Sequence, residues 1–425
     1  MKVFIQKEFF PEIYYSWEMF AKNKSIPYNI IDEATDVDLK ISADADSDLY
    51  ISNKFFDLLK KRQFNHENVL SKDMLLKDDS YRIDYLSLIF YMINSLQEIG
   101  SSERDKLGRF LFKKSYQYKF NCATDNIVQS HFDRICTEVS QLKAFKTNSI
   151  KTRIFLSHDI DTVNGALLQD SFFALKKGRI DWFMTLLFRN LFFKPDWLNI
   201  DKIMKIESEY DFKSTFFWLV NQGKVSKRLY NSDYDIKSKK IIDVVLAVEK
   251  NKWNNGLHKS ISDESFQDEL KKLYINTNAN RYHYLKFSPY EDYPKIENSG
   301  LKLDSSLGFF DYIGFRNSYG LPFQPFNINE RRKYNFAECP LHVMDGTYRT
   351  YLKRPASEMV KEVKTFFEKN SRNCVISVLF HNNYFSEYKF GEYLKAIKEL
   401  LSYFYEMQFE TISPKQIIKE YLNEN

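Results

Sequence analysis

From residue 150 onward, short apolar runs alternate with amphipathic helical patterns, and a polar or charged residue repeatedly stands where a run stops. The runs Arg153–Ser157, Ser214–Val220, Asn255–His258, Tyr284–Phe287, Leu301–Ser305, Leu341–Met344, Val375–Phe380 and Phe409–Ile412 read as strands. Helical patterns at Ile241–Lys250, Asp263–Leu273, Ala356–Lys369 and Glu392–Met407 separate many of them. In Ala356–Lys369, Met359, Val360, Val363 and the pair Phe366-Phe367 fall on one face at helical spacing. Strand–helix alternation builds a parallel sheet, because the chain must travel back along the sheet before the next parallel strand starts. The fold class expected is therefore α/β, with the sheet open or closed into a barrel. In a barrel the C-terminal ends of the strands share one face, so residues far apart in sequence meet there.

The stretch Leu156-Ser-His-Asp-Ile-Asp-Thr162 ends the first of these runs in two carboxylates one residue apart. An ionised carboxylate is costly to desolvate, so two at the mouth of a buried strand call for a partner. A divalent cation serves, with one carboxylate as ligand and the other free to act as base. Capping of the following helix by Asp159 or Asp161 is the simpler alternative. Further polar residues fall at other strand ends: His258 at the third run, Arg281 and His283 at the fourth, Asp304 in the fifth, and His381 after Val375–Phe380. A carboxylate and imidazoles converging with open positions suit a hydrolytic metal site, with zinc as the default ion. His342 alternates into a strand and reads as structural, and Phe216-Phe217-Trp218 reads as core.

Composition narrows the classes. The 425 residues suffice for two domains, and with 12 Gly and 10 Pro long flexible linkers are not expected. The net charge of +5, from 62 basic and 57 acidic residues, gives no nucleic-acid footprint. Cys122, Cys136, Cys339 and Cys374 lack metal-ligand spacing and read as reduced, buried thiols, consistent with a cytoplasmic protein. The N-terminus returns to charge after three apolar residues and supplies no signal-peptide core. Trp182–Phe188 is the longest apolar run near the middle, bounded by Asp181 and Arg189, and falls far short of the ~20 residues of a membrane span. It reads as a buried helix, with a helix lying along a membrane surface as the alternative.

Residues 1–145 carry short strand-like pieces, Lys2–Ile5 and Leu49–Ser52, between helical patterns at Phe55–Leu59, Leu86–Glu98 and Asn126–Leu142. Asp105–Phe110 reads as a turn entering a strand. His66 and His131 sit in ordinary surroundings, and nothing here announces chemistry. A smaller N-terminal α/β domain of unassigned role is expected, followed by a barrel domain over 150–425.

The ordered series Ser157-His-Asp159-Ile-Asp161, Ser214-Thr-Phe-Phe217, Gly256-Leu-His258-Lys-Ser260, Arg281-Tyr-His283, Asp304-Ser-Ser-Leu-Gly-Phe309 and Leu379-Phe-His381-Asn382 resembles the polysaccharide deacetylase superfamily. These are the NodB-like proteins of carbohydrate esterase family four, and the resemblance spans about 150–425. Gly314-Phe-Arg316-Asn and Val343-Met-Asp345-Gly-Thr-Tyr resemble a bacterial subgroup with an extra N-terminal domain, to which Tyr85–Tyr91 and Asp105–Phe110 are similar. The resemblance implies a distorted (β/α) barrel and a metal-dependent hydrolase. Its substrate would be a sugar or polysaccharide intermediate of cell-envelope or exopolysaccharide metabolism, from which it removes N-acetyl groups. It also implies that Asp159 is the general base, Asp161 the carboxylate ligand and His258 the first histidine ligand. Arg281 would orient the base and His381 would act as general acid. Arg316, Asp345 and Asp304 would line the substrate groove.

One position departs from the pattern. The second histidine ligand of the family lies four residues after the first, and here that position is Ser262. Either His283 or His158 takes its place, or the chain is a non-catalytic carbohydrate-binding or scaffolding protein that kept the fold. Hydrolysis of another non-peptide C–N bond is a third reading, since the same chemistry serves it.

Overall fold

The computed structural model describes residues 1–64, 70, 82–145, 149–227 and 229–422, and His66 lies outside them. The chain divides into two compact units. The first comprises Met1–Ile150 together with Phe315–Gly320 and Gln324–Tyr334, and the second holds the rest. The two segments after residue 314 belong to the first unit although they follow most of the second in sequence.

In the first unit, strands β1 (Lys2–Ile5), β2 (Asn29–Ile31), β3 (Leu39–Ser42) and β4 (Leu49–Tyr50) form a parallel sheet in the order β2-β1-β3-β4. Helix Tyr85–Ile93 is buried at every position. Its sequence, apolar on all sides, suits only a central helix, and Asp84 starts it by accepting from the Ser87 N–H. Arg109 and Asp105 close the 105–109 loop with a two-nitrogen ion pair. His131 is buried in helix Ile127–Glu138, and burial pushes its imidazole down to about 4.

The second unit is built on β5 (Arg153–Ile160) and β6 (Thr215–Leu219), followed by a small hairpin of β7 (Lys224–Ser226) and β8 (Leu229–Tyr230). Next come β9 (Asn254–Lys259), β10 (Ala279–Tyr282) and β11 (Leu303–Asp304). The antiparallel pair β12 (Phe326–Asn327) and β13 (Arg332–Lys333) lies in the segment that joins the first unit. The chain then runs through β14 (Ala337–Glu338), β15 (Leu341–Met344), β16 (Val375–Leu379) and β17 (Glu410–Thr411). All pairs of the main sheet are parallel, in the order β14-β11-β10-β9-β6-β5-β16-β15, with β17 on the lower part of β5.

The two ends of that path are two residues apart in sequence. Laid flat, eight strands at about 4.8 Å spacing would put β14 and β15 roughly 34 Å apart. Three peptide steps reach at most about 11 Å, so the sheet must curl until its ends meet. β14 and β15 act as one bent stave, the lower half bonded to β11 and the upper half to β16. Pro340 sits at the bend, where a missing N–H is tolerated. Cys339 N donates to Asp304 O (2.8 Å) and Leu341 N to Leu307 O (3.1 Å), carrying the pairing across the joint. The expected barrel-like α/β arrangement is thus present in curled form.

Two expectations need correction. The fourth strand is Ala279–Tyr282, not Tyr284–Phe287: Tyr284 and Leu285 have φ of 58° and 50°, a left-handed turn that ends the strand before the aromatic run. The run Trp182–Phe188 lies in helix Ile180–Phe192, of which Leu186 alone is buried, so it is not a core helix. The four cysteines are buried and form no disulfide. Among the described residues, no helix is long and apolar enough to cross a membrane.

Candidate metal centre

Alternation along β5 sets the site. Ser157, Asp159 and Asp161 share one face and His158 points to the other, because successive strand side chains alternate. On the inner face Asp159 lies beside Arg281, which β10 delivers through the register pair Arg281↔His258. The guanidinium is fully buried and makes four hydrogen bonds. It donates to Asp159 Oδ1 (3.1 Å), Ser157 Oγ (2.8 Å), Ser305 O (2.9 Å) and Ser305 Oγ (2.9 Å), and it covers the Phe217 ring at 4.6 Å. Gly256 makes room for that ring: a Cβ there would stand 2.4 Å from Phe217 carbons.

Asp161, one residue past β5, is the hub. Its Oδ1 lies 3.2 Å from His258 Nε2 and 3.6 Å from His283 Nε2, and its Oδ2 lies 3.6 Å from His381 Nε2. His258 Nε2 is also 3.5 Å from Asp159 Oδ2. One ligand atom from each of Asp161, His258 and His283 falls within 4.8 Å of the others, close enough to share an ion. Asp161 Oδ1 is buried and accepts no aligned hydrogen bond, as a ligand atom awaiting a cation would. His258 Nδ1 stands 2.9 Å from the Arg281 carbonyl, which can only accept, so Nδ1 carries the proton and a neutral ring turns its Nε2 lone pair into the cluster. His283 reaches the cluster from the strained turn after β10, stacked on Tyr284 at 3.9 Å.

Charge follows this geometry. Burial would raise the Asp161 carboxyl, but the imidazoles of His283, His258 and His381 outweigh it and hold the group well below the usual range. Burial opposes charge on His258, yet Asp159 and Asp161 raise it; His283, where burial dominates, is lowered. His381 is lifted to about 10 against the cost of burial by Asp345, Asp161 and Asp159.

Three expected residues stand elsewhere. Asp345 is fully buried and does not line a groove. Its Oδ1 meets His381 Nδ1 at 2.6 Å and its Oδ2 accepts from the His381 N–H at 2.7 Å, so it orients the imidazole. Arg316 forms a buried ion pair with Glu98 inside the first unit, at 2.7–2.8 Å through two nitrogens. Asp304 is buried beneath the strand ends, accepting from Asn280 (3.0 Å) and Ser306 (2.8 Å), and burial lifts it to about 7. His158 is excluded as a ligand, because its Nδ1 meets Phe380 O (2.9 Å) and its Nε2 meets Glu207 Oε1 (2.7 Å) on the outer face. Ser262 bonds Asn221 (2.9 Å) and Ser260 (2.6 Å), beside the buried Lys259–Glu269 pair.

The cluster opens into a cleft of about 220 Å³. Asp159, Asp161, His258, His283 and His381 lie at its base, and Tyr284, Tyr351 and Tyr384 are among its walls. The tyrosines went unnoticed in the sequence, where the chain's 28 tyrosines give no local signal.

The structure thus sets an Asp-His-His cluster at the C-terminal strand ends of a curled parallel α/β sheet. Comparisons with known proteins add the following. Residues 1–144 match a protein family of unknown function, DUF7033. No curated protein matches the sequence. Among solved structures, the chain is similar to a candidate polysaccharide deacetylase from Mycobacterium smegmatis, 10% identical at a TM-score of 0.40, covering 63% of this chain and 89% of that one. It is also similar to a candidate polysaccharide deacetylase involved in O-antigen biosynthesis from Bordetella bronchiseptica, 13% identical at a TM-score of 0.32, covering 63% and 83%.

Proposed function

We propose that the protein is a metal-dependent amide hydrolase that removes an acyl group, N-acetyl in the first instance, from a sugar or polysaccharide intermediate. The observation that carries this reading is the convergence of Asp161, His258 and His283 within 4.8 Å, with Asp161 Oδ1 buried and unbonded, between a carboxylate held by arginine and a carboxylate-bound imidazole. Asp161, His258 and His283 would hold one divalent ion, zinc by ligand type, and bound there it would supply Lewis-acid polarisation of the acyl carbonyl and of water.

The chain's own groups do the rest. Asp159, held by Arg281, is placed to take the proton of the attacking water. His381, with Nδ1 bonded to Asp345, presents Nε2 toward Asp161 Oδ2 and can give a proton to the leaving nitrogen as the C–N bond breaks. Water adds its oxygen to the acyl carbon, and the products are a carboxylate and a free amine. Tyr284, Tyr351 and Tyr384 line the cleft beside the cluster. Replacement of the family's second histidine by Ser262 favours the binding-protein alternative, and the test separates the two.

Purified protein should carry one divalent ion per chain, lost in Asp161→Ala and His258→Ala. Acetate release from N-acetylated oligosaccharides should fall roughly 10²–10⁴-fold in Asp159→Asn while the metal stays bound. Full turnover by that variant removes the base assignment. Failure to take up metal under any loading condition transfers the case to a carbohydrate-binding protein.

A further inference from the structure

The hairpin of helices Gly165–Lys176 and Ile180–Phe192 wears its apolar side outward. Leu168, Phe172 and Leu175 repeat at helical spacing on the first helix, and Ile180, Met184 and Phe188 on the second, continued by the run 191–193. These nine side chains are between 51% and 77% exposed. The inner face buries Ala166, Asp170, Ser171 and Ala174 of the first helix and Leu186 of the second. At roughly 150–250 Å² per large side chain, the outward face is on the order of 1,000 Å². Monomers rarely expose a contiguous patch beyond about 300–600 Å².

The hairpin is firmly rooted. Trp197 Nε1 donates to Asp170 (2.9 Å), and Val163 N donates to Asp233 (2.7 Å). Asn382, next to His381, donates to Thr162 O (2.8 Å) and Trp197 O (2.7 Å), joining the two feet. Thr162 itself lines the cleft, so the feet stand at its rim.

We propose that this hairpin is a membrane-docking element, laying its outer face into the headgroup layer of an anionic bilayer. Charge complementarity selects that occupant. Lys176, Lys177 and Arg179 crowd the turn; Arg179 is paired with Asp181 through two nitrogens, which leaves Lys176 and Lys177 as its unmatched cations in sequence. An apolar face flanked by basic residues is the pattern of interfacial helices, and anionic headgroups attract such cations. A protein partner would want hydrogen-bonding groups across the face, and the exposed stripe offers almost none. Docking here brings the rim of the cleft to the bilayer surface, where a lipid-carried sugar would be met. That last step rests on the hydrolase reading, whereas the docking does not.

Flotation of the full chain with phosphatidylcholine vesicles, with and without phosphatidylglycerol, tests the proposal without any catalytic readout. Wild type should float with the anionic vesicles and release in high salt. Phe188→Asp/Phe192→Asp should lower the bound fraction about tenfold or more at unchanged melting temperature, since both sites are exposed. Lys176→Glu/Lys177→Glu should abolish the preference for phosphatidylglycerol while keeping the fold. Absence of wild-type binding to both vesicle types overturns the proposal. So does a wild-type dimer by sedimentation that the phenylalanine variant dissociates, because a second copy then covers the face.

Discussion

Removing the buried cation of the site should cost more than removing the anion it holds, and the two effects should not add. Arg281 and Asp159 are both almost wholly buried and 3.1 Å apart. At that separation and an effective dielectric of about 20, their attraction is about 5 kcal/mol before desolvation is charged against it. Arg281→Met keeps the bulk but leaves the Asp159 carboxylate buried without its cation and deprives Ser157 and Ser305 of a donor. Breaking a buried pair from one side costs about 3–5 kcal/mol. His258 Nε2, 3.5 Å from Asp159, softens the loss and sets the expectation near the lower end. Asp159→Asn should cost less, since Arg281 keeps its bonds to Ser157 and Ser305. In the double variant no uncompensated charge remains, so its destabilisation should fall short of the sum by about 2 kcal/mol. The assay is urea unfolding in chelator, followed by tryptophan emission. Four of the five tryptophans (Trp182, Trp197, Trp218 and Trp253) lie in the barrel unit, so the signal reports mainly on it. Additivity within about 0.5 kcal/mol would refute the claim that Arg281 acts through Asp159.

The acidic pair was legible because it is local. Strand alternation alone places Asp159 and Asp161 on one face, and the same rule excludes His158, so that choice between histidines was already decidable from the period of β5. His283 was harder. The aromatic residues Tyr282, Tyr284 and Phe287 mimic a strand, and the left-handed turn at Tyr284 and Leu285 that swings the imidazole inward has no glycine to announce it. What stayed hidden was non-local. Asp345 and His381 meet because β15 and β16 are neighbours, a pairing set by sheet order. Arg316 finds Glu98 218 residues away, because the segment Phe315–Gly320 leaves the barrel unit for the first one. The exposed hairpin misled for another reason: an apolar periodic helix looks the same whether its stripe meets a core or a surface, and only the packed chain tells which.

Two further perturbations address the ring beneath Arg281 and a buried histidine of the first unit. Gly256→Ala drives a Cβ to 2.4 Å from the Phe217 ring that supports Arg281. It should cost about 1–3 kcal/mol and weaken metal uptake, both read on the purified variant; a stable, metal-replete Gly256→Ala protein would mean the ring has room to move. His131, in the first unit, tests acid stability through a group that is not part of the metal cluster. Folded, its imidazole titrates at about 4; unfolded, it titrates near its ordinary 6.5. Between those values the unfolded chain binds a proton that the folded chain refuses. Stability from this residue is therefore full above about pH 6.5 and is lost as pH falls toward 4, by up to about 3 kcal/mol. His131→Phe, which keeps a ring against Tyr85, removes that titration. Its urea midpoint, followed by circular dichroism, should fall less than wild type's between pH 7 and pH 4.5, and an identical fall in both proteins would place the acid sensitivity in other groups.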